Sequence, residues 1–393
     1  MYDFQSVVER RGTTSIKWHM IEDDMGVGSE DVIAMSVADM EFKPAPEIVE
    51  ALVEAAQHDI FGYDYATDGY FRALTAWMSR RHNWDIDPAW VSLSDGVMPA
   101  VNTALRAVTH PGDKVILQGP VYYPFTAAAE HNGLTILDNR LVLGDDGRYV
   151  MDFDDLEAKA SDPRCTALML CNPHNPIGKV LTREEMLRLS DLAAKYDVRI
   201  FSDEIHAPFV YQGHTHVPFA SINRQTAMQA FTSTSASKSF NIPGTKCAQV
   251  ILTNPDDLEL WMRNAEWSEH QTATIGAIAT TAAYDGGAAW FEGVMAYIER
   301  NIALVNEQMR TRFAKVRYVE PQGTYIAWLD FSPLGIGDPA NYFFKKANVA
   351  LTDGRECGEV GRGCVRMNFA MPYPLLEECF DRMAVALEAD GLL

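Results

Sequence analysis

One lysine in this sequence, Lys238, lies in a run of small polar residues that is poorly suited to a hydrophobic core. The run TSTSASKSFNIPGTK, residues 232–246, contains many hydroxyl groups and a second lysine, Lys246. Most lone lysines are solvated surface groups. Here the apolar run AFTS precedes the lysine, and the hydroxyl groups of Ser235 and Ser237 indicate a nearby anion. The pattern predicts a tight turn that presents an amine to an anionic ligand.

Two carboxylates, Asp203 and Glu204, follow another apolar run, RIFS. A carboxylate at the end of a buried strand is costly unless a positive group lies against it. We therefore expect Asp203 to meet a cation, and we interpret Glu204 as structural.

Polar or glycine-rich segments follow three further apolar runs. Residues 94–97 (SDGV) form a turn that leads into a helix, where free backbone N–H groups suit a phosphate, although most such turns bind nothing. Tyr122 and Tyr123 offer ring faces to a flat ligand, although tyrosines at a strand end more often serve packing. Residues 172–178 (NPHNPIG) contain two Asn-Pro steps, which favour either a plain turn or a rigid loop with free amide groups.

One ligand would use all of these groups. A lysine can condense with an aldehyde, a carboxylate can pair with a protonated pyridine, and an aromatic ring can stack on it. An amide suits a ring hydroxyl, while a glycine turn with hydroxyls and a cation suits a phosphate. Pyridoxal 5′-phosphate (PLP) has each of these features, so the residues favour a PLP site.

These residues must be positioned by an α/β architecture. Short apolar runs alternate with helical patterns and end at Gly, Pro, Asn or Asp, which predicts βαβ units and a mostly parallel sheet. After about residue 288 the pattern changes to a smaller α+β unit. We therefore predict a large domain at 46–288 and a small domain from 1–45 and 289–393, with residues 1–45 irregular.

Composition excludes several classes of partner. The net charge of −21 argues against nucleic acid or an anionic membrane, because both need a basic surface. There is no long apolar run, and the six cysteines and ten histidines show no metal-ligand spacing, so we expect no metal. Reduced cysteines and the absence of an apolar leader favour a cytoplasmic location.

The motifs together resemble the fold-type I, class I/II aminotransferase superfamily over nearly the whole chain. The segments SVADMEF, FGY, CNPHNPIGKV, SDEIH and SKSFNIPG resemble its MalY/PatB-type cystathionine β-lyase (C–S lyase) branch. The resemblance implies a fold-type I PLP-dependent transferase fold with a mostly parallel seven-stranded sheet, a homodimer with shared active sites, and PLP as the cofactor.

The resemblance also implies individual roles. Lys238 would be the Schiff-base lysine, Asp203 the partner of the pyridine nitrogen, and Tyr122 the stacking ring. Asn175 would bind the ring oxygen. The residues implied to hold the phosphate are Gly96, Val97, Ser235, Ser237 and Lys246. Lys246 stands where the family usually has an arginine, so it keeps the charge but lacks the planar fork.

Further roles concern the substrate and the partner subunit. Arg366, in GCVRMNF, matches the arginine that binds the substrate α-carboxylate. Tyr63 matches the tyrosine that reaches the partner subunit's cofactor, and Asp39 would shape the SVADM loop near the substrate. His206 stands three residues after Asp203, where aminotransferases usually carry a tyrosine. It is either a plain loop residue or a group close to the ring.

The missing tyrosine favours a lyase. Our main hypothesis is a PLP-dependent carbon–sulfur β-lyase that acts on L-cystathionine or a related amino-acid thioether. The alternatives are an aminotransferase on the same scaffold and a regulatory protein that keeps PLP as a structural ligand. The presence of Lys238, Asp203 and Arg366 argues against the regulatory alternative.

Overall fold

The computed structural model describes residues 2–25, 31–58, 60, 62, 66–265 and 272–393. The helices are α1 (Ile16–Met25), α2 (Pro46–Gln57), α3 (Asp68–His82), α4 (Val97–Val108), α5 (Tyr123–His131), α6 (Phe153–Ala160), α7 (Arg183–Tyr196), α8 (Arg224–Ala227), α9 (Ala236–Ser239), α10 (Pro255–Ala265), α11 (Thr274–Gly286), α12 (Ala288–Thr311), α13 (Pro339–Ala347) and α14 (Tyr373–Ala389).

The strands are β1 (Ile33–Ala34), β2 (Val91–Ser94), β3 (Lys114–Leu117), β4 (Thr135–Asp138), β5 (Leu141–Leu143), β6 (Tyr149–Met151), β7 (Cys165–Cys171), β8 (Arg199–Asp203), β9 (Ala230–Thr234), β10 (Ala248–Ile251), β11 (Arg317–Tyr318), β12 (Ile326–Asp330), β13 (Val349–Ala350), β14 (Thr352–Asp353) and β15 (Cys364–Asn368).

The central sheet has seven strands in the order β2-β10-β9-β8-β7-β3-β4. Only β10 runs against its neighbours, and the pairings from β9 to β4 are parallel. The continuous apolar run of β7 is explained by burial along almost its whole length, as expected for a strand that is covered on both faces. The predicted α/β class and mostly parallel seven-stranded sheet are confirmed.

Several helices begin and end at residues that the sequence marks clearly. Thr182 and Glu185 form a capping box at the start of α7, and Asp197 ends that helix in the left-handed conformation. Thr67 caps α3, where its side chain accepts a hydrogen bond from the backbone N–H of Tyr70. These caps place the following strands and loops at defined points on the sheet.

A second, antiparallel sheet has the order β11-β12-β15-β14 and carries Arg366 in β15. The N-terminal segment joins this part of the chain because β1 pairs in parallel with β13, with Ile33 opposite Val349. The predicted boundaries between a large and a small domain stay a prediction.

The interpretation of residues 1–45 as irregular was wrong, because α1 and β1 lie there. The sequence of α1, IKWHMIEDDM, has a weak apolar stripe, and its second residue, Lys17, is fully buried in ion pairs. Hydrophobic periodicity does not reveal a helix that is docked by charges.

Within the described ranges, no helix combines the length and apolar character needed to cross a membrane. The six cysteines are buried free thiols.

Candidate active site

The carboxyl ends of the parallel strands surround a cavity of about 560 Å³. Its walls come from the segments that follow β2, β7, β8 and β9, so residues far apart in the sequence meet there. The predicted site residues that line it are Gly96, Val97, Tyr122, Asn175, Asp203, His206, Ser235, Ser237, Lys238 and Lys246. The structure therefore brings most of the predicted site together.

Lys238 is held in the short helix α9, directly after β9. The Ser235 hydroxyl caps this helix by accepting a hydrogen bond from the Ser237 N–H at 3.0 Å. The Lys238 Nζ donates to the Ala38 carbonyl at 2.6 Å. Burial, together with the nearby Arg366 guanidinium, lowers the pKa of Lys238 to about 8, although Asp39 and Asp203 act in the opposite sense. This amine gives up its proton more readily than a surface lysine.

Asp203 ends β8 and is buried. Its Oδ1 accepts a hydrogen bond from the Ile205 N–H at 3.0 Å. Burial raises the pKa of Asp203 to about 6, while the Ile205 N–H and the Lys238 ammonium oppose the rise. A cation bound against this carboxylate would favour its ionised form.

Asn175 has hydrogen-bonding capacity left for a ligand. Its side chain is buried, and its Oδ1 has no hydrogen-bond partner among the residues that the structure describes. Its backbone N–H contacts the Cys171 Sγ at 3.5 Å, which fixes the loop to the end of β7. Asn172 is committed to the protein instead, because its Oδ1 accepts from the Leu181 N–H at 3.0 Å.

Gly178 closes this loop at a position that requires glycine. Its φ of +69° lies in the left-handed region, and a Cβ placed there would lie 2.3 Å from the Pro321 Cβ. The loop is therefore pressed against the segment that precedes β12.

One wall of the cavity suits an anion. Gly96 and Val97 form the start of α4, where the backbone N–H groups and the helix dipole favour negative charge. Lys246 lines the same wall and forms no ion pair with any other described residue. The Ser235 hydroxyl donates to the Cys247 carbonyl at 2.6 Å, so it supports the turn as well as lining the cavity.

Tyr122 and His206 provide ring surfaces on the cavity wall. Tyr122 directly precedes α5, and burial raises the pKa of its phenol, so it stays protonated at neutral pH. Burial lowers the pKa of His206 to about 3, helped by Lys238 and Arg366, so this imidazole is neutral. Its Nδ1 has no hydrogen-bond partner in the described part of the chain.

Two predicted residues, Arg366 and Asp39, do not line this cavity. Arg366 lines a second cavity of about 410 Å³, where it donates to the Thr352 Oγ1 at 3.3 Å. Asp39 does not line the first cavity, because its carboxylate pairs with Lys17 at 2.7 Å and with Arg10. Asp39 therefore helps to hold the loop that carries Ala38, and its position near the substrate stays a prediction. Tyr63 lies outside the described residues.

Two neighbours of the predicted residues serve structure. Glu204 is buried and accepts hydrogen bonds from the Ser202 hydroxyl at 2.8 Å and the Phe219 N–H at 2.9 Å. The His216 Nε2 lies 3.0 Å from its other oxygen. His174 does not line the cavity, and its Nε2 lies 3.1 Å from the Gln118 carbonyl.

Sequence reasoning missed Tyr325, which is buried beside the site. Its hydroxyl donates to the Ala38 carbonyl at 3.0 Å, the same oxygen that accepts from Lys238. In the sequence it stands in TYIAWLDF, an alternating apolar run, so it looks like any aromatic core residue. The place of Tyr325 beside the site becomes clear only in the structure, where residues 38 and 325 lie close together.

The chain belongs to the aminotransferase class I and II family, whose model matches residues 30–383. Within that family it is 38% identical to cystathionine beta-lyase PatB of Bacillus subtilis, over 98% of this chain and all of the relative. It is 33% identical to the protein MalY of Escherichia coli, over 96% of this chain and 97% of the relative.

Among solved structures, cystalysin from Treponema denticola, which contains PLP, superimposes with a TM-score of 0.95 at 34% identity, covering 99% of each chain. The PLP-bound C-S lyase from Staphylococcus hominis superimposes with a TM-score of 0.92 at 26% identity, covering 98% of each chain. The predicted resemblance to the MalY/PatB-type branch and the predicted fold type are confirmed.

Proposed function

We propose that this protein is a PLP-dependent carbon–sulfur β-lyase that cleaves cysteine S-conjugates such as L-cystathionine. The observation that carries the proposal is that a buried lysine and a buried aspartate, Lys238 and Asp203, line one cavity at the carboxyl ends of the strands. The likeness to cystathionine beta-lyases along the whole chain supports it.

The residues of the cavity fit PLP. Asp203 would hold the pyridine nitrogen, Asn175 with its unused amide capacity the ring oxygen, and Tyr122 the ring face. The start of α4 at Gly96 and Val97, together with Ser235, Ser237 and Lys246, would hold the phosphate. When bound, PLP supplies an aldehyde that combines with an amino group and a ring that accepts the electron pair left at Cα.

The protein's own groups then move the proton. Lys238, with a pKa of about 8, takes the proton from Cα of the substrate. Arg366 binds the substrate α-carboxylate and so orients the Cα–H bond towards the lysine. An ionised Asp203 would pair with the ring nitrogen of PLP and would favour its protonated form.

The overall reaction balances with water as the only co-reactant. The Cα–H and Cβ–S bonds break, and the electron pair of the Cβ–S bond leaves with sulfur as a thiolate. The thiolate gains a proton, and water replaces the nitrogen at Cα. One thioether and one water therefore give one thiol, one pyruvate and one ammonium.

His206 supports the lyase assignment over an aminotransferase. It is buried, neutral and on the cavity wall, at the position where aminotransferases usually carry a phenol. It therefore cannot supply the same hydroxyl to the ring oxygen. We also propose a homodimer in which Tyr63 reaches the partner subunit's cofactor, and the division into domains at 46–288 and at 1–45 with 289–393.

A cytoplasmic location fits the six buried free thiols.

A product assay tests the proposed reaction. The purified protein with PLP and L-cystathionine should release pyruvate and a free thiol in equal amounts, without any added keto acid. Amino transfer that requires a keto acid and releases no thiol would identify an aminotransferase instead. Binding of PLP without either reaction would identify the regulatory alternative.

A further inference from the structure

The second cavity, of about 410 Å³, adjoins the site at the loop that precedes α2. Ser36 and Val37 line this cavity, whereas the next residue, Ala38, lines the first cavity and accepts the hydrogen bond from Lys238. Arg366 lines the second cavity and is close enough to Lys238 to lower its pKa. The two cavities are therefore neighbours, and the volume of the second lies within the usual range for ligand pockets, about 300–1,000 Å³.

Some charged side chains in the second cavity have an ion-pair partner and others do not. Arg355 is satisfied by Asp338 at 2.8 Å and by Asp353. Glu356 and Lys345 also line the cavity, but within the described ranges neither has an oppositely charged partner at ion-pair distance. Both side chains remain accessible to solvent. One unmatched carboxylate and one unmatched ammonium therefore face the same space.

Among the residues that the structure describes, no carboxylate lies at ion-pair distance from Arg366 either. It is 8% exposed, and its hydrogen bond is to the neutral Thr352 hydroxyl. Partial burial raises the pKa of Glu356, and the nearby Arg366 opposes that rise. A buried guanidinium without an anion is costly, so an anionic group of a ligand would be stabilised beside it.

We propose that the second cavity binds the leaving group of the thioether as an amino-acid zwitterion, with Glu356 receiving its ammonium and Lys345 its carboxylate. This inference rests on the proposed lyase function and names the substrate class of that site. Cysteine thioethers whose leaving thiol is itself an amino acid are then preferred over S-alkyl cysteines.

The arrangement of the two cavities supports this assignment. PLP would occupy the first cavity, and a substrate whose α-carboxylate lies on Arg366 has its Cα near Lys238. The substituent on Cβ must then extend away from the cofactor, and the second cavity is the adjoining space. Apolar side chains of Ile21, Phe344 and Leu351 in its wall suit the methylene groups that separate sulfur from the distal charges.

Steady-state kinetics of Glu356→Gln and Lys345→Gln on the PLP-loaded enzyme test the proposal. L-Cystathionine carries both distal charges, S-(2-aminoethyl)-L-cysteine only the ammonium, S-carboxymethyl-L-cysteine only the carboxylate, and S-methyl-L-cysteine neither. Glu356→Gln should lower kcat/KM about five- to tenfold for the first two substrates, and Lys345→Gln by a similar factor for the first and third. Neither variant should change turnover of S-methyl-L-cysteine, which also shows that the variants fold.

Matched controls are available close by in the chain. Glu359 pairs with Arg362 and Lys346 pairs with Asp390, and neither lines the cavity. Glu359→Gln and Lys346→Gln should have the same kcat/KM as the unmodified enzyme for all four thioethers. Equal losses on all four substrates in the Glu356 and Lys345 variants, or no loss on any, would overturn the subsite while leaving the lyase intact. An unmodified enzyme that cleaves none of the four would overturn the lyase itself.

Discussion

Asp203 and Glu204 are adjacent acids with opposite surroundings. Asp203 lines the cavity and receives one backbone N–H, whereas Glu204 is buried beneath it and is bonded to Ser202, Phe219 and His216. Asp203 is the last residue of β8 and Glu204 follows it directly, and in extended backbone successive side chains point to opposite sides, so one lines the cavity and the other lies in a buried network. Asp203 therefore has a chemical role, whereas Glu204, the next residue, has a structural one.

Substitution of the two acids should therefore have different effects. Asp203→Asn removes the charge that holds the ring nitrogen protonated, and it should lower kcat by about 100-fold or more while the protein stays folded. Stopped assays of pyruvate release, with thermal unfolding as the control for folding, check this. A variant with near-normal kcat would contradict the assigned role.

Glu204→Gln should instead lower stability. The change disturbs the bond to His216 in a buried network and should cost about 1–3 kcal/mol in the free energy of unfolding. The kcat of the folded fraction should change only a few-fold. Urea unfolding and kcat measured on the same preparation distinguish the two variants, and a large loss of kcat at full stability would contradict a structural role.

Much of the site at this scale could be predicted because its residues follow apolar runs. Asp203 ends β8, and Asn175 and Lys238 lie shortly after the ends of β7 and β9, where parallel strands bring their ends together. Tyr325 could not be predicted, because its contact with Ala38 joins distant segments. The ion pairs of Asp39 were hidden for the same reason, since its partners Arg10 and Lys17 lie in a segment without clear periodicity.

At the scale of elements, charges dock the N-terminal segment onto the loop that carries Ala38. Lys17 of α1 is fully buried, with its Nζ 2.7 Å from Asp39 and 2.5 Å from Glu41. Arg10 contacts the same two carboxylates. Asn368 of β15 donates to the Asp39 carbonyl at 2.6 Å. The loop is thus held from both sides, and it presents the carbonyl that meets Lys238.

Lys17→Met should break this docking. Removing Lys17 from this buried group leaves two carboxylates, Asp39 and Glu41, to share the single charge of Arg10, and it should cost about 3 kcal/mol of stability. Arg263→Gln is the control, because Arg263 pairs with Glu259 on an exposed helix surface and should cost at most about 0.5 kcal/mol. Urea unfolding of the three proteins measures the difference, and equal stability of both variants would contradict the docking.

Helices such as α2, α3, α7 and α12 show apolar periodicity or clear caps in the sequence. The small-residue helix α11 has no such signal. It packs closely, since a Cβ at Gly276 would lie 2.4 Å from the Thr245 carbonyl beside the site. The position of α11 depends on the close approach of its backbone to the segment around Thr245, and a single sequence does not reveal such a contact.

At the scale of the whole molecule, folding buries an ammonium in the cofactor-free protein. The pKa of Lys238 is about 8 in the fold, below its usual 10.5, mainly because of burial, with Arg366 and Lys17 acting in the same sense and Asp39 and Asp203 against it. Above pH 8 the folded state has lost a proton that the unfolded state keeps up to about pH 10.5. The Lys238 amine therefore increases the free energy of unfolding as the pH rises from 8 to 10.5. This increase is lost again as the pH falls back through 8.

A comparison with Lys238→Met isolates this effect. The variant lacks the buried charge, so at pH 7 it should be more stable than the unmodified protein by up to about 3 kcal/mol. The exchange of lysine for methionine also changes the packing, but that effect does not depend on pH. That advantage should shrink as pH rises from 8 to 10. Urea unfolding of the cofactor-free proteins across this range measures it, and a difference that does not vary with pH would contradict the burial of a charged amine.

The central claim is that Lys238 moves the substrate proton inside a cavity that other residues shape for PLP. The most direct measurement is pyruvate release from L-cystathionine by the unmodified protein and by Lys238→Ala, each with saturating PLP and with cofactor retention measured in parallel. We predict that Lys238→Ala retains PLP through Asp203, Asn175 and the phosphate wall but releases pyruvate at least about 1,000-fold more slowly. Near-normal pyruvate release by Lys238→Ala would contradict the account.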